Sequence, residues 1–169
     1  QGRFAAAGFA DHDSNVPVSQ GVHIDRFGNR NTPTIAYAGF SPEFQGDQDQ
    51  GFVGGQFLDG RSANLVEQAK QPFLNPVEMA NPDKLTVIQA VRNSDYANLF
   101  EQVYGAGSLD NTEAAFDQIA DAIAAFENSD EVSPFTSKFD AFLAGQVALG
   151  LLFEERDAVD GLLGQREVD

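Results

Sequence analysis

Residues 55–79 read GQFLDGRSANLVEQAKQPFLNPVEM, a turn signal followed by a helix-start signal. The turn is predicted at residues 59–61, Asp-Gly-Arg, because glycine adopts backbone angles that other residues avoid. Asn64 offers a side-chain oxygen as a helix cap, and Glu67 three residues later completes the pattern of a capping box. This helix is predicted to end before Pro72, since proline disfavours helical geometry in the residue ahead of it.

The start signal recurs later in the chain. Asn75, Pro76 and Glu78 predict a second capped helix, with Asn75 as the cap and Pro76 at the first helical position. Similar signals with apolar residues at helical spacing predict further helices at 32–38, from Asn81, from Ser94 to Gly105, at 112–127, and around 139–145. Residues 41–54 are predicted to form a polar, glycine-rich loop without structure of its own, and no segment predicts a strand. The predicted fold class is all-α, a small helical domain with long loops.

The spacing of apolar residues predicts which helix faces are buried. The faces expected in the core are Leu85, Ile88 and Val91 on one helix, Tyr96, Leu99, Phe100 and Val103 on the next, and Phe116, Ile119, Ile123 and Phe126 on the longest. Fifteen phenylalanines and no tryptophan make phenylalanine the main large core residue.

The chain has 169 residues, 42% of them hydrophobic, and a net charge of −16, so it is expected to form a soluble globular protein. This acidity argues against nucleic-acid binding, which needs clustered Lys and Arg. It suits a basic protein partner such as a small cytochrome c, and the alternative, which charge alone favours, is that the acidity only maintains solubility. No apolar run is long enough to span a bilayer.

Four motifs in order resemble those of the bacterial di-haem cytochrome c peroxidase family, which includes MauG-like proteins of methylamine utilisation. They are RNTPT at 30–34, LDGR at 58–61, LVEQA at 65–69 and NPVEM at 75–79. The likeness continues to about Gly145. It implies a cytochrome c-like helical fold in which residues 1–145 are the peroxidatic domain. Residues 146–169 are then the start of a second domain or a tail that the resemblance does not assign.

The resemblance implies two c-type haems and a calcium ion as cofactors. The chain has no cysteine, whereas c-type haem is attached through C-x-x-C-H. In the family one such motif precedes the segment that begins this chain, and the second follows a segment that residues 150–153 resemble. The sequence is therefore interpreted as a partial chain, with a degenerate haem-free relative as the alternative.

The family places two side chains over the distal face of the peroxidatic haem, and they correspond to Glu78 and Gln68. A carboxylate at that place can move a proton between the oxygens of peroxide, so Glu78 is predicted to be catalytic. Its structural alternative is to complete the capping box begun by Asn75. Gln68 is predicted to orient peroxide by hydrogen bonding, with a surface helix position as the alternative.

Two further residues are assigned by the resemblance, and a third, Met79, is considered for its chemistry. His23 corresponds to a sixth ligand of the haem iron that must leave before peroxide binds. Asn31 corresponds to a calcium ligand, with a turn residue as the alternative. Met79 could bind haem iron, although methionine is more often packing material. Leu58 departs from the family, because many members carry there a tryptophan that helps electron transfer between the haems.

The predicted function is the reduction of hydrogen peroxide to water by a periplasmic di-haem peroxidase. The implied electron donor is a small cytochrome c or a cupredoxin, and the oligomeric state, including a homodimer, is left open. The alternatives are an electron-transfer or protein-oxidising cytochrome on the same scaffold and a haem-free binding domain.

Overall fold

The computed structural model describes residues 18–146, apart from residues 48 and 50. The chain divides into two compact units, residues 1–133 and residues 134–169. The described elements are strands β1 (Gln45–Asp47) and β2 (Gly51–Val53), a 3₁₀ turn (Ala38–Phe40), and helices α1 (Leu65–Leu74), α2 (Lys84–Arg92), α3 (Ala97–Tyr104), α4 (Thr112–Glu127) and α5 (Lys138–Leu143). The predicted all-α class is confirmed, with one small hairpin added to it.

The core of the first unit lies where α1, α2 and α3 pack against α4. Phe73 on α1 meets Phe116 on α4 edge to face, with ring centroids 5.7 Å apart. Such a contact adds about 0.5–1.5 kcal/mol to the gain from burial alone. The rest of the buried cluster is Val87, Ile88, Val91, Phe100, Leu109, Ala115 and Ile119.

Helix α1 begins as predicted and ends later than predicted. The side chain of Asn64 accepts the backbone N–H of Glu67 and caps the helix. Pro72 lies inside the helix instead of ending it. An interior proline removes one backbone donor and crowds the preceding turn, at a cost of about 3 kcal/mol. Phe73, the next residue, is buried in the core. Packing therefore outweighs the local signal.

The predicted helix start at Asn75 is wrong. Asn75 has an extended backbone and ends α1, and residues 76–79 form turns. Its backbone carbonyl accepts the N–H groups of Glu78 at 3.0 Å and Ala80 at 2.9 Å. Its side-chain oxygen accepts the N–H of Val77 at 3.2 Å. The Asn-Pro sequence thus closes a turn instead of starting a helix.

The next two helices exist as predicted, with different first residues. Asp83, and not Asn81, caps α2 by accepting the N–H of Thr86. The residue before α3 is Tyr96 without a side-chain cap, while the hydroxyl of Ser94 donates to the Val91 carbonyl at 2.6 Å. The predicted buried faces are partly wrong, because four of their members are exposed: Leu85, Tyr96, Leu99 and Val103.

Helix α4 is the longest described helix and has the predicted bounds, Thr112–Glu127. Phe116 and Ile119 are buried, as expected, whereas Phe126 is 47% exposed. The buried face ends instead at Glu127, which continues the helical spacing from Ile123.

Two loop predictions are wrong. Residues 32–35 are irregular, and only the short 3₁₀ turn follows them. The Ser19 hydroxyl accepts the backbone N–H of Thr32 at 3.1 Å. Thr32 is therefore held by a loop residue and does not start a helix. Residues 41–54 contain the antiparallel strands β1 and β2, paired Gln45 to Val53. The ring of Phe44, just before β1, stacks on the ring of Phe52 in β2, with ring centroids 5.6 Å apart.

The described part of the second unit contains helix α5. Ser137 and Asp140 form a reciprocal capping box at its start, and Gly145 follows its end with a φ of 70°. Residues 147–169, including the 150–153 segment, lie outside the described residues, so the predicted domain boundary at residue 145 stays a prediction. Among the described helices none is both long and apolar enough to cross a membrane.

Candidate functional site

A cavity of about 1080 Å³ opens in the first unit beside α1. Most of its lining residues lie on α1 and in the turn that follows it, within residues 19–41, or within residues 55–61. Ala90 of α2 and Glu127 of α4 also line it. Its volume is at the upper end of the range for ligand sites in proteins, roughly 300–1,000 Å³.

Four of the five predicted site residues line this one cavity: Asn31, Gln68, Glu78 and Met79. Gln68 lies on α1, and Glu78 lies in the turn that closes α1, and both side chains are partly buried. The turn returns the chain to the same helix, since the N–H of Met79 donates to the Pro72 carbonyl at 3.2 Å. An amide and a carboxyl group ten residues apart in sequence therefore line the same cavity.

The structural alternative for Glu78, a helix cap at Asn75, is excluded because no helix begins there. Glu78 is held through its backbone, whose N–H donates to Asn75 and whose carbonyl accepts the N–H of Val22 at 2.7 Å. Its carboxyl group therefore does not cap a helix at Asn75. The catalytic role of Glu78 stays a prediction.

His23 does not line the cavity, although its neighbours Val22 and Ile24 do. It is exposed in a turn in which its carbonyl accepts the N–H of Arg26 at 3.1 Å. The Arg26 guanidinium donates to the Pro76 carbonyl at 3.2 Å, which fastens this loop to the turn carrying Glu78. The loop is exposed, as predicted, and it is hydrogen-bonded to the site.

Asn31 and Met79 have structural partners of their own. The Asn31 side-chain oxygen accepts the Ser19 hydroxyl at 3.2 Å and the Thr32 N–H at 3.0 Å. Met79 packs partly buried against the core cluster. No cluster of three or more His, Cys, Asp or Glu side chains that could hold a metal lies within the described ranges. Calcium binding at Asn31 and haem ligation by Met79 stay predictions.

The Asp-Gly-Arg turn supplies a charged rim that the sequence reading did not assign. Asp59 pairs with Arg30 at 2.9 Å and with Arg61 at 2.8 Å. Desolvation opposes ionisation of Asp59, but the Arg61 hydrogen bonds and both guanidinium charges hold its pKa below the ordinary value. Arg61 also lies 3.6 Å from the centre of the Phe57 ring. Two cationic side chains, Arg30 and Arg61, therefore line the cavity.

The sequence reading also missed Glu127, which lines the cavity and is only 5% exposed. Burial raises its pKa above the ordinary value for glutamate. A signal was present in the sequence. Glu127 follows Ile123 and Phe116 at helical spacing, so the apolar stripe of α4 runs directly into an acid.

Comparison with known proteins decides the family. The sequence profile described as "Di-haem cytochrome c peroxidase" matches residues 5–148. The chain belongs to the di-haem cytochrome c peroxidase family. This is a family of haem-dependent oxidoreductases with cytochrome c-like helical domains, and membership implies haem c as the cofactor.

Individual relatives agree with this assignment. The chain is 45% identical over 134 residues to the methylamine utilization protein MauG of Paracoccus denitrificans, covering 79% of this chain and 35% of that protein. It is 34% identical over 131 residues to the cytochrome c551 peroxidase of Pseudomonas aeruginosa, covering 78% and 33%. The crystal structure of the diheme peroxidase BthA from Burkholderia thailandensis superposes with a TM-score of 0.70 at 28% identity, covering 79% and 32%. The chain thus spans about a third of the length of these relatives.

The cavity fits the surroundings of a haem. Its apolar lining includes Val22, Ile24 and Leu58, which suit a large flat apolar group, and the rim arginines suit carboxylate substituents. Gln68 and Glu78 supply an amide and a carboxyl group to the lining. The chain contributes no cysteine for covalent attachment, so these residues can surround a haem without anchoring it.

Proposed function

We propose that this protein acts in the reduction of hydrogen peroxide to water, using electrons from a small periplasmic redox protein. The observation that carries the proposal is the placement of Gln68 and Glu78 in the lining of one cavity of about 1080 Å³. Helix α1 holds Gln68, and the hydrogen-bonded turn after it holds Glu78. Both residues are therefore preorganised before substrate binds.

The residues have separate tasks in this reaction. A bound haem supplies the redox chemistry. Glu78 takes a proton from one peroxide oxygen at its carboxylate and returns it to the other. Gln68 orients the peroxide through its amide, which does not change charge. The overall reaction consumes two electrons and two protons for each peroxide.

A second candidate function is oxidation of another protein on the same scaffold. It is favoured by the 45% identity to MauG, whose name refers to methylamine utilization and not to a peroxidase. Leu58 argues against a relay that needs an oxidisable side chain at this position, because leucine cannot carry a radical as tryptophan can. Peroxide turnover with a reduced small redox protein separates the two, since only the peroxidase sustains it.

We infer two further ligand roles, one for His23 and one for Asn31. His23 is the sixth ligand of the haem iron, released when the site opens; its exposed turn next to Val22 supports this proposal. His23→Gly should then change the resting visible spectrum, and an unchanged spectrum would remove His23 from the ligand set. Asn31 donates its side-chain oxygen to calcium, for which the Ser19 hydroxyl must turn to another acceptor.

The partner inferred for electron delivery is a small cytochrome c or cupredoxin with a basic face. The net charge of −16 supports this choice, because opposite charges accelerate encounter and the acceleration falls as salt rises. A periplasmic location follows from that partner, and a homodimer remains compatible with it.

The test is Glu78→Gln in the haem-loaded protein expressed from its intact gene. The substitution keeps the size and the backbone hydrogen bonds of Glu78 and removes its ability to move a proton. The peroxide-dependent step should slow by about 10²–10⁴-fold, with an unchanged melting temperature and haem spectrum. Glu131→Gln, an exposed acid on the same unit, is the matched control and should react at the wild-type rate. A Glu78→Gln protein as fast as the control would contradict the proposal.

A further inference from the structure

Glu127 is a buried acid whose placement has no structural explanation within the described chain. It is the last residue of α4, and its side chain is 95% buried, being 5% exposed. Its Oε2 atom is inaccessible to solvent and has no hydrogen-bond partner among the described residues. Buried carboxyl groups are normally paired or hydrogen-bonded, because an unsatisfied one costs about 1–3 kcal/mol or more.

The surroundings of Glu127 favour its protonated form. Burial raises its pKa, and no cation among the described residues lowers it. The carbonyl end of α4 carries partial negative charge, which also disfavours a carboxylate. The cations on the helices packed against α4 are engaged elsewhere, in the ion pairs Lys70–Asp117, Lys84–Glu113 and Arg92–Asp110. The charged groups that share its cavity are Arg30, Arg61 and Glu78.

Stability does not account for this acid. Ala120 and Ala124 precede it on the buried side of α4, where an apolar residue would pack without the cost of burying a carboxyl group. What distinguishes the position is that it faces the cavity lined by Gln68 and Glu78. A buried acid that lowers stability and lines a cavity is a candidate for the chemistry of that cavity.

We propose that Glu127 holds an exchangeable proton on its buried carboxyl group and supplies it to the cavity for the reduction of peroxide. The proposal rests on the proposed function. Glu78 moves a proton between the two peroxide oxygens and is unchanged at the end, so it cannot be the source of the protons that the reaction consumes. Glu127 is a second acid on the same cavity.

The step balances as follows. Hydrogen peroxide takes two electrons from the donor redox protein and two protons, and it leaves as two water molecules. The Glu127 carboxyl group releases one of these protons through water in the cavity and becomes a carboxylate; the second comes from solvent. The Glu127 carboxylate then takes up a proton from solvent before the next turnover. Glu127 touches no reacting atom, so it is a proton-supplying residue and not a catalytic one.

The first test measures the proton itself by infrared difference spectroscopy of the haem-loaded protein, titrated between pH 4 and pH 9. The wild-type protein should show the carbonyl stretch of a protonated carboxyl group that titrates at a higher pH than ordinary glutamate. Glu127→Gln should lose this band, and Glu131→Gln should keep it. A band that survives in Glu127→Gln, or a wild-type protein without it, would overturn the proposal.

The second test follows the peroxide reaction as a function of pH. Glu127→Gln should lower turnover by about 10-fold or more at neutral pH, a smaller loss than that of Glu78→Gln, because supply through water is less direct than positioned transfer. Small weak acids added as buffer should restore part of the rate in Glu127→Gln only. If Glu78→Gln is fully active while the infrared band belongs to Glu127, the proposed function fails and the proton-holding site stands. If Glu127→Gln keeps the wild-type rate and pH profile, the supply role fails.

Discussion

At the scale of single residues, the candidate site depends on how closely two backbone segments approach. Gly21 lies against the turn that carries Glu78, and the next residue, Val22, donates its N–H to the Glu78 carbonyl at 2.7 Å. A Cβ atom at Gly21 would overlap the carbonyl oxygens of Val77 and Glu78. Only glycine permits this approach, so the requirement is one of space.

We therefore predict that Gly21→Ala moves the segment carrying His23 away from the Glu78 turn. The lost hydrogen bond and the clash should lower the free energy of unfolding by about 1–3 kcal/mol. Thermal or urea unfolding of the described unit measures this. Gly28→Ala is the matched control, because its Cβ would only approach the Arg30 carbonyl to 3.3 Å and should cost clearly less. Equal stability of the two variants would contradict the prediction.

At the scale of elements, the turn after α1 completes the helix and carries the site. The last carbonyl groups of a helix lack partners within it. Here the Phe73 carbonyl accepts both the backbone N–H of Asn81 at 3.0 Å and its side-chain amide at 2.8 Å. Asn81, which looked like a helix start in the sequence, therefore closes the previous helix.

Asn81→Ala should remove the side-chain hydrogen bond to Phe73 and lower the free energy of unfolding by about 1 kcal/mol. Amide hydrogen exchange should also speed up in the turn at residues 76–79, because one of its anchors is lost. Asn98→Ala, an exposed position on α3, should leave stability unchanged or raise it slightly, since alanine favours helix. Equal effects of the two substitutions would show that Asn81 does not close the helix.

At the scale of the whole molecule, the core of the described first unit packs against α1, and α1 also lines the cavity. Phe73 and Pro72 are neighbours on α1; Phe73 is packed on α4, while Pro72 lines the cavity. Burial of the α1 face against α4 therefore sets the position of Gln68 and of the turn that follows. Charge on the surface contributes little to this arrangement, because exposed ion pairs are worth about 0–1 kcal/mol.

Phe116→Ala should lower the free energy of unfolding by about 3–5 kcal/mol, since this side chain is 2% exposed and its loss leaves a cavity against Phe73. Denaturant unfolding followed by circular dichroism measures the change. Phe126→Ala on the same helix is the control, because Phe126 is 47% exposed and should cost about 1 kcal/mol or less. The prediction fails if the two variants unfold at the same denaturant concentration.

The sequence by itself determined the elements whose signals are local and agree with one another. Helix α4 has both of its predicted ends, and the Asn64 cap lies at the predicted place. The motifs at residues 30–34 and 75–79 indicated the family before any comparison. In each case the signal is a cap, a periodic apolar face or a set of motifs, and it is read from residues that are close together in the sequence.

Only the tertiary structure decided the features that depend on distant partners. Asn75 and Asn81 carry the same helix-start signal as Asn64, yet neither starts a helix. Asn81 donates to the Phe73 carbonyl at the end of α1, and the oxygens of Asn75 accept N–H groups of the turn that follows. Pro72 stays helical because Phe73 is buried beside it. Glu127 lines the cavity because α4 packs against α1. No local sequence pattern specifies that packing. Hydrogen-bond demand and burial, both set by the whole fold, override local preference where the two disagree.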